Sequence, residues 1–158
     1  MDTNLVQPFV FSTAEMIFEM AGFKIIPDGA IYNEEDEIHS RGVASIINYI
    51  GKIKGRFLLD MEPGMALKLA SLIVGQDYLD ARDPMVLAVI SEINNTIAGD
   101  AITKLNRNYG LSLRLTPPIV FTGAKISMTI PKIPSVSLNY KSEHGQIKVN
   151  IAFERGLS

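Results

Sequence analysis

Ser91-Glu92-Ile93-Asn94-Asn95-Thr96-Ile97-Ala98-Gly99 sits in the middle of the longest helical pattern in the chain. That pattern opens at Asp83-Pro84. Aspartate is a favoured N-cap because its carboxylate accepts orphan N–H groups of the first turn, and proline suits the first helical position, where its missing N–H costs little. The helix should run to about Asn106, with Tyr109-Gly110 ending it. At about 100° per residue, Val86, Ile90, Ile93, Ile97 and Ala101 fall in one sector, which is the core face. Ala88, Glu92, Asn95, Gly99 and Thr103 form a second stripe that mixes a carboxylate, a carboxamide and a hydroxyl with tiny side chains. A glycine inside a helix costs ~1 kcal/mol relative to alanine. The stripe therefore reads in one of two ways: a close-approach surface that meets another backbone at Glu92 and Asn95, or a solvated face on which Gly99 admits a strand of the same domain. Asn94 projects near the core face and is expected to hydrogen-bond locally, because a buried amide needs partners.

Upstream, Ser12-Thr13-Ala14-Glu15 has the form of a capping box opening a short helix that Gly22 stops. Phe23 to Ile26 reads as a strand, and the polar, acidic run Asn33 to Ser40 as a surface loop. Val43 to Ile50 and Ile53 to Met61 are strand-like runs joined tightly at Gly51-Lys52, and Glu62-Pro63 starts a helix that ends at Gly75. Downstream come Leu111 to Leu115, the breaker Pro117-Pro118, and Ile119 to Ile130 with a turn at Gly123. A loop over Pro131 to Pro134 follows, then a second hairpin of Ser135 to Tyr140 and Gln146 to Phe153 around Ser142 to Gly145. The halves resemble each other. Ala14 to Gly22 aligns with Ser91 to Gly99, so that Glu15 falls on Glu92 and Ala21-Gly22 on Ala98-Gly99; Gly51-Lys52-Ile53-Lys54 matches Gly145-Gln146-Ile147-Lys148. The predicted fold is α+β: one domain over residues 1–158, a duplicated helix-plus-β-hairpin unit whose antiparallel sheet carries the long helices.

Composition narrows the function. The 158 residues carry a net charge of -2 and no basic run, so nucleic acid is not an expected partner. The absence of cysteine removes thiol nucleophiles, disulfides and zinc-thiolate sites. His39 and His144 are the two histidines, each beside charged residues, so no metal site is expected. The acidic clusters Glu34-Glu35-Asp36-Glu37 and Asp60-Met61-Glu62 read as loop and helix-start charge. With no targeting signal and no stretch approaching the ~18 apolar residues of a membrane span, a cytoplasmic location without membrane insertion is expected.

Glu92 and Asn95 alone make an incomplete active site: there is no histidine base, no activated nucleophile and no metal cluster with them. An asparagine can nonetheless orient a water by donating to it and accepting from it. Phosphoryl transfer asks mostly for positioning of the attacking water and stabilisation of charge. Asn95 suffices for that if a partner brings the phosphoryl group and Mg2+.

With these residues in place the chain resembles the CheC/CheX/FliY phosphatases, which dephosphorylate the chemotaxis response regulator CheY. Their motif is Asp or Ser, three residues, Glu, two residues, Asn, then roughly twenty-two residues and Pro. Glu92, Asn95 and Pro117 match it, as do the flanking Ile97-Ala98-Gly99-Asp100-Ala101 and the upstream Ile53-Lys54-Gly55-Arg56-Phe57-Leu58-Leu59; the resemblance extends from about Pro8 to Phe153. Ala88 departs from it, standing at the leading Asp or Ser. The resemblance implies Glu92 and Asn95 as catalytic residues, with Asn95 aligning water and Glu92 binding the receiver's lysine. It also implies a phosphorylated CheY-like receiver as partner, and Mg2+ on that receiver with no cofactor on this chain. The first half keeps Glu15 but has Phe18 where a second asparagine would stand, so Glu15 is read as the capping-box residue and Phe18 as core packing. One equipped helix is the CheX arrangement, for which the family implies a homodimer joined at sheet edges. The alternative is a non-catalytic module of the same fold that docks on a receiver or a motor component.

Overall fold

The computed structural model describes residues 2–34, 37–123, 127–129 and 133–154. Along the chain it runs α1 (Thr3–Ala21), β1 (Ile26–Pro27), β2 (Tyr32–Glu34), β3 (Glu37–His39), β4 (Val43–Ile50), β5 (Lys54–Met61), α2 (Pro63–Val74), α3 (Pro84–Tyr109), β6 (Arg114–Leu115), β7 (Ile119–Thr122), β8 (Ser127–Thr129), β9 (Ser135–Ser142) and β10 (Gly145–Phe153). Alternation sets the inner faces of the two hairpins. Val43, Ile47 and Tyr49 of β4 and Phe57, Leu59 and Met61 of β5 point to one side. Val136, Leu138 and Tyr140 of β9 and Ile147, Val149, Ile151 and Phe153 of β10 point the same way. That side buries the apolar faces of all three helices. The Phe9 ring of α1 lies 5.2 Å from Phe57 and 5.3 Å from Tyr49. Tyr49 is fully buried and donates its hydroxyl to the carbonyls of Ala152 at 2.7 Å and Arg56 at 3.1 Å. Burial holds its phenol well above the ordinary value, so it remains a donor. Gly55 is required beneath that ring: a Cβ there would stand 2.1 Å from the Ala152 oxygen.

The duplication is real and larger than a helix plus a hairpin. The sheet order is β1-β9-β10-β5-β4-β6, with β2 also on β9 and β7 also on β4. Each half gives its two short leading strands to the other half's hairpin, β10 pairs β5 at the centre, and β3 pairs β8 across the halves. Helices α1 and α3 correspond; α2 is the element without a counterpart. The sheet's other face holds a small apolar cluster of Ile38, Ala44 and Leu58 beside buried polar groups. Asp60 accepts from the Ser40 hydroxyl at 3.0 Å and the Arg41 N–H at 3.1 Å, and Lys148 pairs with Glu34. Burial nevertheless holds the Asp60 carboxyl above its ordinary value.

Several expectations need correcting. Helix α1 starts at Thr3, not at Ser12, with the Asp2 carboxylate capping it by accepting from the Asn4 N–H at 2.8 Å. Ser12 and Thr13 lie buried inside the helix. The Thr13 hydroxyl donates to the Phe9 carbonyl and the Ser12 hydroxyl to Asp100 on α3, each at 2.7 Å. Glu15 caps nothing and stands 3.6 Å from the Lys104 ammonium. Phe23 to Ile25 is irregular, with Phe23 and Ile25 buried, and the strand starts only at Ile26. The acidic loop contains β2 and β3, which take strand form because β9 and β8 offer them edges. Asp60 belongs to β5, not to a helix start. Residues 35–36, 124–126 and 130–132, parts of the acidic cluster and of the runs around Ile130, lie outside the described residues. The helix limits agree with expectation: Asp83 and Glu62 precede α3 and α2, and the three helices end at Gly22, Gly110 and Gly75 in the left-handed conformation.

Helix α3 is long and apolar enough to cross a membrane by length and composition, but half of its most apolar window is buried inside the fold, as in a core helix. A polar contact also ties it to α1, the Ser12 hydroxyl donating to Asp100. Burial raises the Asp100 carboxyl, but the Ser12 hydroxyl and Lys104 outweigh that and hold it below its ordinary value. The resulting stability is present above the ordinary carboxylate range and is lost as pH falls through the lowered value. Ser12→Ala should therefore cost about 1–3 kcal/mol near neutral pH. Urea denaturation at stepped pH should show the gap from the unsubstituted protein narrowing once Asp100 is protonated.

Candidate functional site

The exposed side of α3 is built by the same periodicity that builds its core side. Val86, Ile90, Ile93, Ile97 and Ala101 are fully buried, as their sector requires, while Ala88, Glu92, Asn95 and Thr103 are exposed and Gly99 is half-buried. Glu92 and Asn95 stand one turn apart on an unbroken helix, so their separation and direction are set by a rigid backbone. The Thr96 hydroxyl lies 3.4 Å from Glu92 Oε1, a long contact that leaves most of the carboxylate's accepting capacity open. The Asn95 carboxamide makes no hydrogen bond with the described residues, so both its donor and its acceptor ends are available to a partner.

Gly99 bears on the two open readings of the stripe. A Cβ built on it would meet only Leu115 Cδ1, at 3.8 Å, an ordinary contact. Among the described residues the side chain of Leu115 in β6 is the nearest group, at an ordinary contact distance, so the helix surface at Gly99 has room for a close approach from outside. Leu115 also locates Pro117. β6 pairs Leu115 with Tyr49 of β4, and β7 resumes by pairing Ile119 with Ile46. Three residues, Thr116 to Pro118, therefore oppose two, Ile47 and Asn48, and the chain bulges there beside α3. Prolines suit such a bulge because they have no N–H to give to the ladder. Pro117 is exposed in this bulge, between two strands that both pack near α3.

Two neighbouring residues depart from expectation. Asn94 does not hydrogen-bond locally: it is fully buried and its Nδ2 donates to Ser45 Oγ, 2.8 Å away on β4. Ser45 was the partner that sequence reasoning missed, and the signal was there, a lone hydroxyl at an inward position of an alternating strand. Phe18, the counterpart of Asn95 in the first half, is not core packing but 49% exposed, with Phe11 on the same helix face 64% exposed. The duplicated face of α1 is open as well, without a carboxamide. Among the described residues no group of three His, Asp or Glu side chains is placed to hold a metal ion.

Comparison with known proteins bears on this geometry. A family model described as chemotaxis phosphatase CheX matches residues 43–141, a span that includes all of α3 and Pro117. The chain belongs to the chemotaxis phosphatase CheX family. A curated relative, the CheY-P phosphatase CheX of Thermotoga maritima, is 27% identical over 81% of this chain and 81% of its own length. Among solved structures, a CheC-like superfamily protein from a Shewanella species superposes with a TM-score of 0.88 at 22% identity, covering 98% of this chain and 100% of the other. The CheX chain of a CheX–CheY–BeF3–Mg2+ complex from Borrelia burgdorferi gives 0.81 at 24% identity, covering 95% and 97%. The two structures establish the shared α+β fold, and the family match spans the helix that carries Glu92 and Asn95.

The open space at Gly99 has a direct consequence. Gly99→Ala should stabilise the isolated protein by ~1 kcal/mol, since it removes the cost of a glycine in a helix interior without a clash. A denaturant midpoint that falls instead would mean that the backbone at Gly99 is already closely covered.

Proposed function

We propose that this protein is a phosphatase that accelerates hydrolysis of the aspartyl-phosphate on a CheY-like receiver. One observation carries the reading beyond family membership. Glu92 and Asn95 are exposed together on one rigid helix face, and the amide group of Asn95 is uncommitted. In this reading the receiver docks against the α3 stripe. Asn95 enters its phosphoryl site and holds a water in line with the scissile P–O bond, donating from Nδ2 and accepting at Oδ1. The water's oxygen attacks phosphorus, the bond to the receiver's aspartyl oxygen breaks, and that carboxylate leaves with the bonding electrons. Mg2+ stays on the receiver and neutralises charge on the phosphoryl oxygens. Glu92 pairs with the receiver's lysine and fixes the docking. The small side chains at Ala88 and Gly99 admit the receiver's loops close to the helix backbone.

Three further properties belong to the same proposal: a homodimer joined at sheet edges, a cytoplasmic location, and a receiver that is bound in its phosphorylated form. The complex from Borrelia burgdorferi, which contains BeF3 and Mg2+, supports the last. A non-catalytic docking module is the competing reading, and Ala88, which replaces a polar residue of the family motif, is what favours it.

Asn95→Ala separates the two. The variant should bind beryllofluoride-activated receiver with nearly unchanged affinity while losing about 100-fold or more in phosphate release, because it removes a group that acts only in the transition state. Release at the unsubstituted rate would remove Asn95 from the chemistry. Glu92→Ala should instead raise the receiver concentration needed for half-maximal rate.

A further inference from the structure

The buried face of α3 carries one polar side chain that the proposed chemistry does not use. Asn94 adjoins Asn95 in sequence but points the other way, fully buried between Ile90, Ile93, Ile97 and the sheet. Its Nδ2 reaches Ser45 Oγ at 2.8 Å, and Ser45 is itself fully buried at an inward position of β4. Its Oδ1 is buried without a partner among the described residues. A half-satisfied amide in an apolar layer is a poor source of stability, because the desolvated oxygen goes uncompensated. What such a pair supplies is direction. Apolar packing is non-directional, and the side chains of Val86, Ile90, Ile93 and Ile97 can shift together over the sheet by small rotations of the helix. A hydrogen bond of ordinary length has a narrow range of distance and angle and does not shift with them.

The distances make this matter for Asn95. A group at the outer surface of a helix lies about 5–6 Å from the axis, so a rotation of about 10° displaces it by about 1 Å. A misplacement of that size can cost about 100-fold in a reaction that depends on alignment. We propose that Asn94 and Ser45 are positioning residues: their hydrogen bond sets the rotation and axial register of α3 on β4, and through them the aim of Asn95 and Glu92. The proposal rests on the phosphatase reading and adds to it a part of the machinery inside the core. Neither residue touches the receiver.

The test uses the full chain and a CheY-like receiver whose dephosphorylation the unsubstituted protein accelerates. The double variant Asn94→Ala/Ser45→Ala removes both polar ends, and Ser45→Thr keeps the hydroxyl. Measured together are kcat and KM for phosphate release, the urea midpoint, and relaxation dispersion of the α3 amides. The double variant should lose about 10-fold or more in kcat, with KM within about two-fold and the urea midpoint unchanged or higher. Its α3 amides should show μs–ms exchange absent from the unsubstituted protein. Ser45→Thr should retain the original kcat. An unchanged kcat in the double variant would overturn the proposal, as would a kcat that falls only together with the urea midpoint, the behaviour of a merely structural pair. If the unsubstituted protein accelerates no receiver, the phosphatase reading fails instead. The dispersion measurement still decides whether the pair holds the helix: α3 as quiet in the double variant as in the original overturns that too.

Discussion

Helix α3 has to satisfy two environments at once, and the burial of its apolar sector against the sheet is the interaction on which the rest of the molecule depends. Val86, Ile90, Ile93, Ile97 and Ala101 are fully buried and bring with them Phe57, Leu59 and the inner residues of both hairpins. Because side chains follow one another at a fixed angle, burying that sector leaves Glu92 and Asn95 facing outward with no further device. The core and the candidate site are thus two sides of one periodicity. A substitution that rotated the helix would disturb both, whereas one on the outer stripe should leave the core alone.

The duplicated architecture offers two outward helix faces, of which one carries the candidate site. Each half offers a helix to the same sheet, and each helix has an outward face, yet the faces have diverged. On α3 the stripe is small and polar; on α1 the matching positions carry exposed Phe11 and Phe18 around a Glu15 that lies near Lys104. The exchange of leading strands between halves means that neither half has a complete sheet of its own. The fold therefore retains both halves even though only α3 keeps the Glu-x-x-Asn pattern.

Much of this was legible in the sequence, and for identifiable reasons. The limits of α3, the two long hairpins and the exposed Glu92 and Asn95 all follow from local rules, namely a capping aspartate, alternation, and the helical angle. What was hidden depends on partners distant in sequence. β2 and β3 are short and polar, and they become strands only because β9 and β8 present edges to them. The start of α1 was masked by Pro8, which lies inside the helix, and by a Ser-x-x-Glu pattern whose serine in fact serves Asp100, 88 residues away. Phe18 was assigned to the core by its chemistry, whereas its angular position beside Phe11 sends it outward. Asn94 looked local because its partner Ser45, a lone hydroxyl at an inward position of β4, lies 49 residues away in the chain.

The claim that most needs testing is turnover. A binding module and a phosphatase on this fold would both form a complex with a phosphorylated CheY-like receiver, but only the phosphatase discharges many receivers per molecule. The decisive measurement is phosphate release from a large excess of phosphorylated receiver, with this protein present at a small fraction of its concentration. The account predicts release of several equivalents of phosphate per protein molecule, well ahead of the receiver's own decay. Release no faster than the receiver alone, with a stable complex formed, would contradict it.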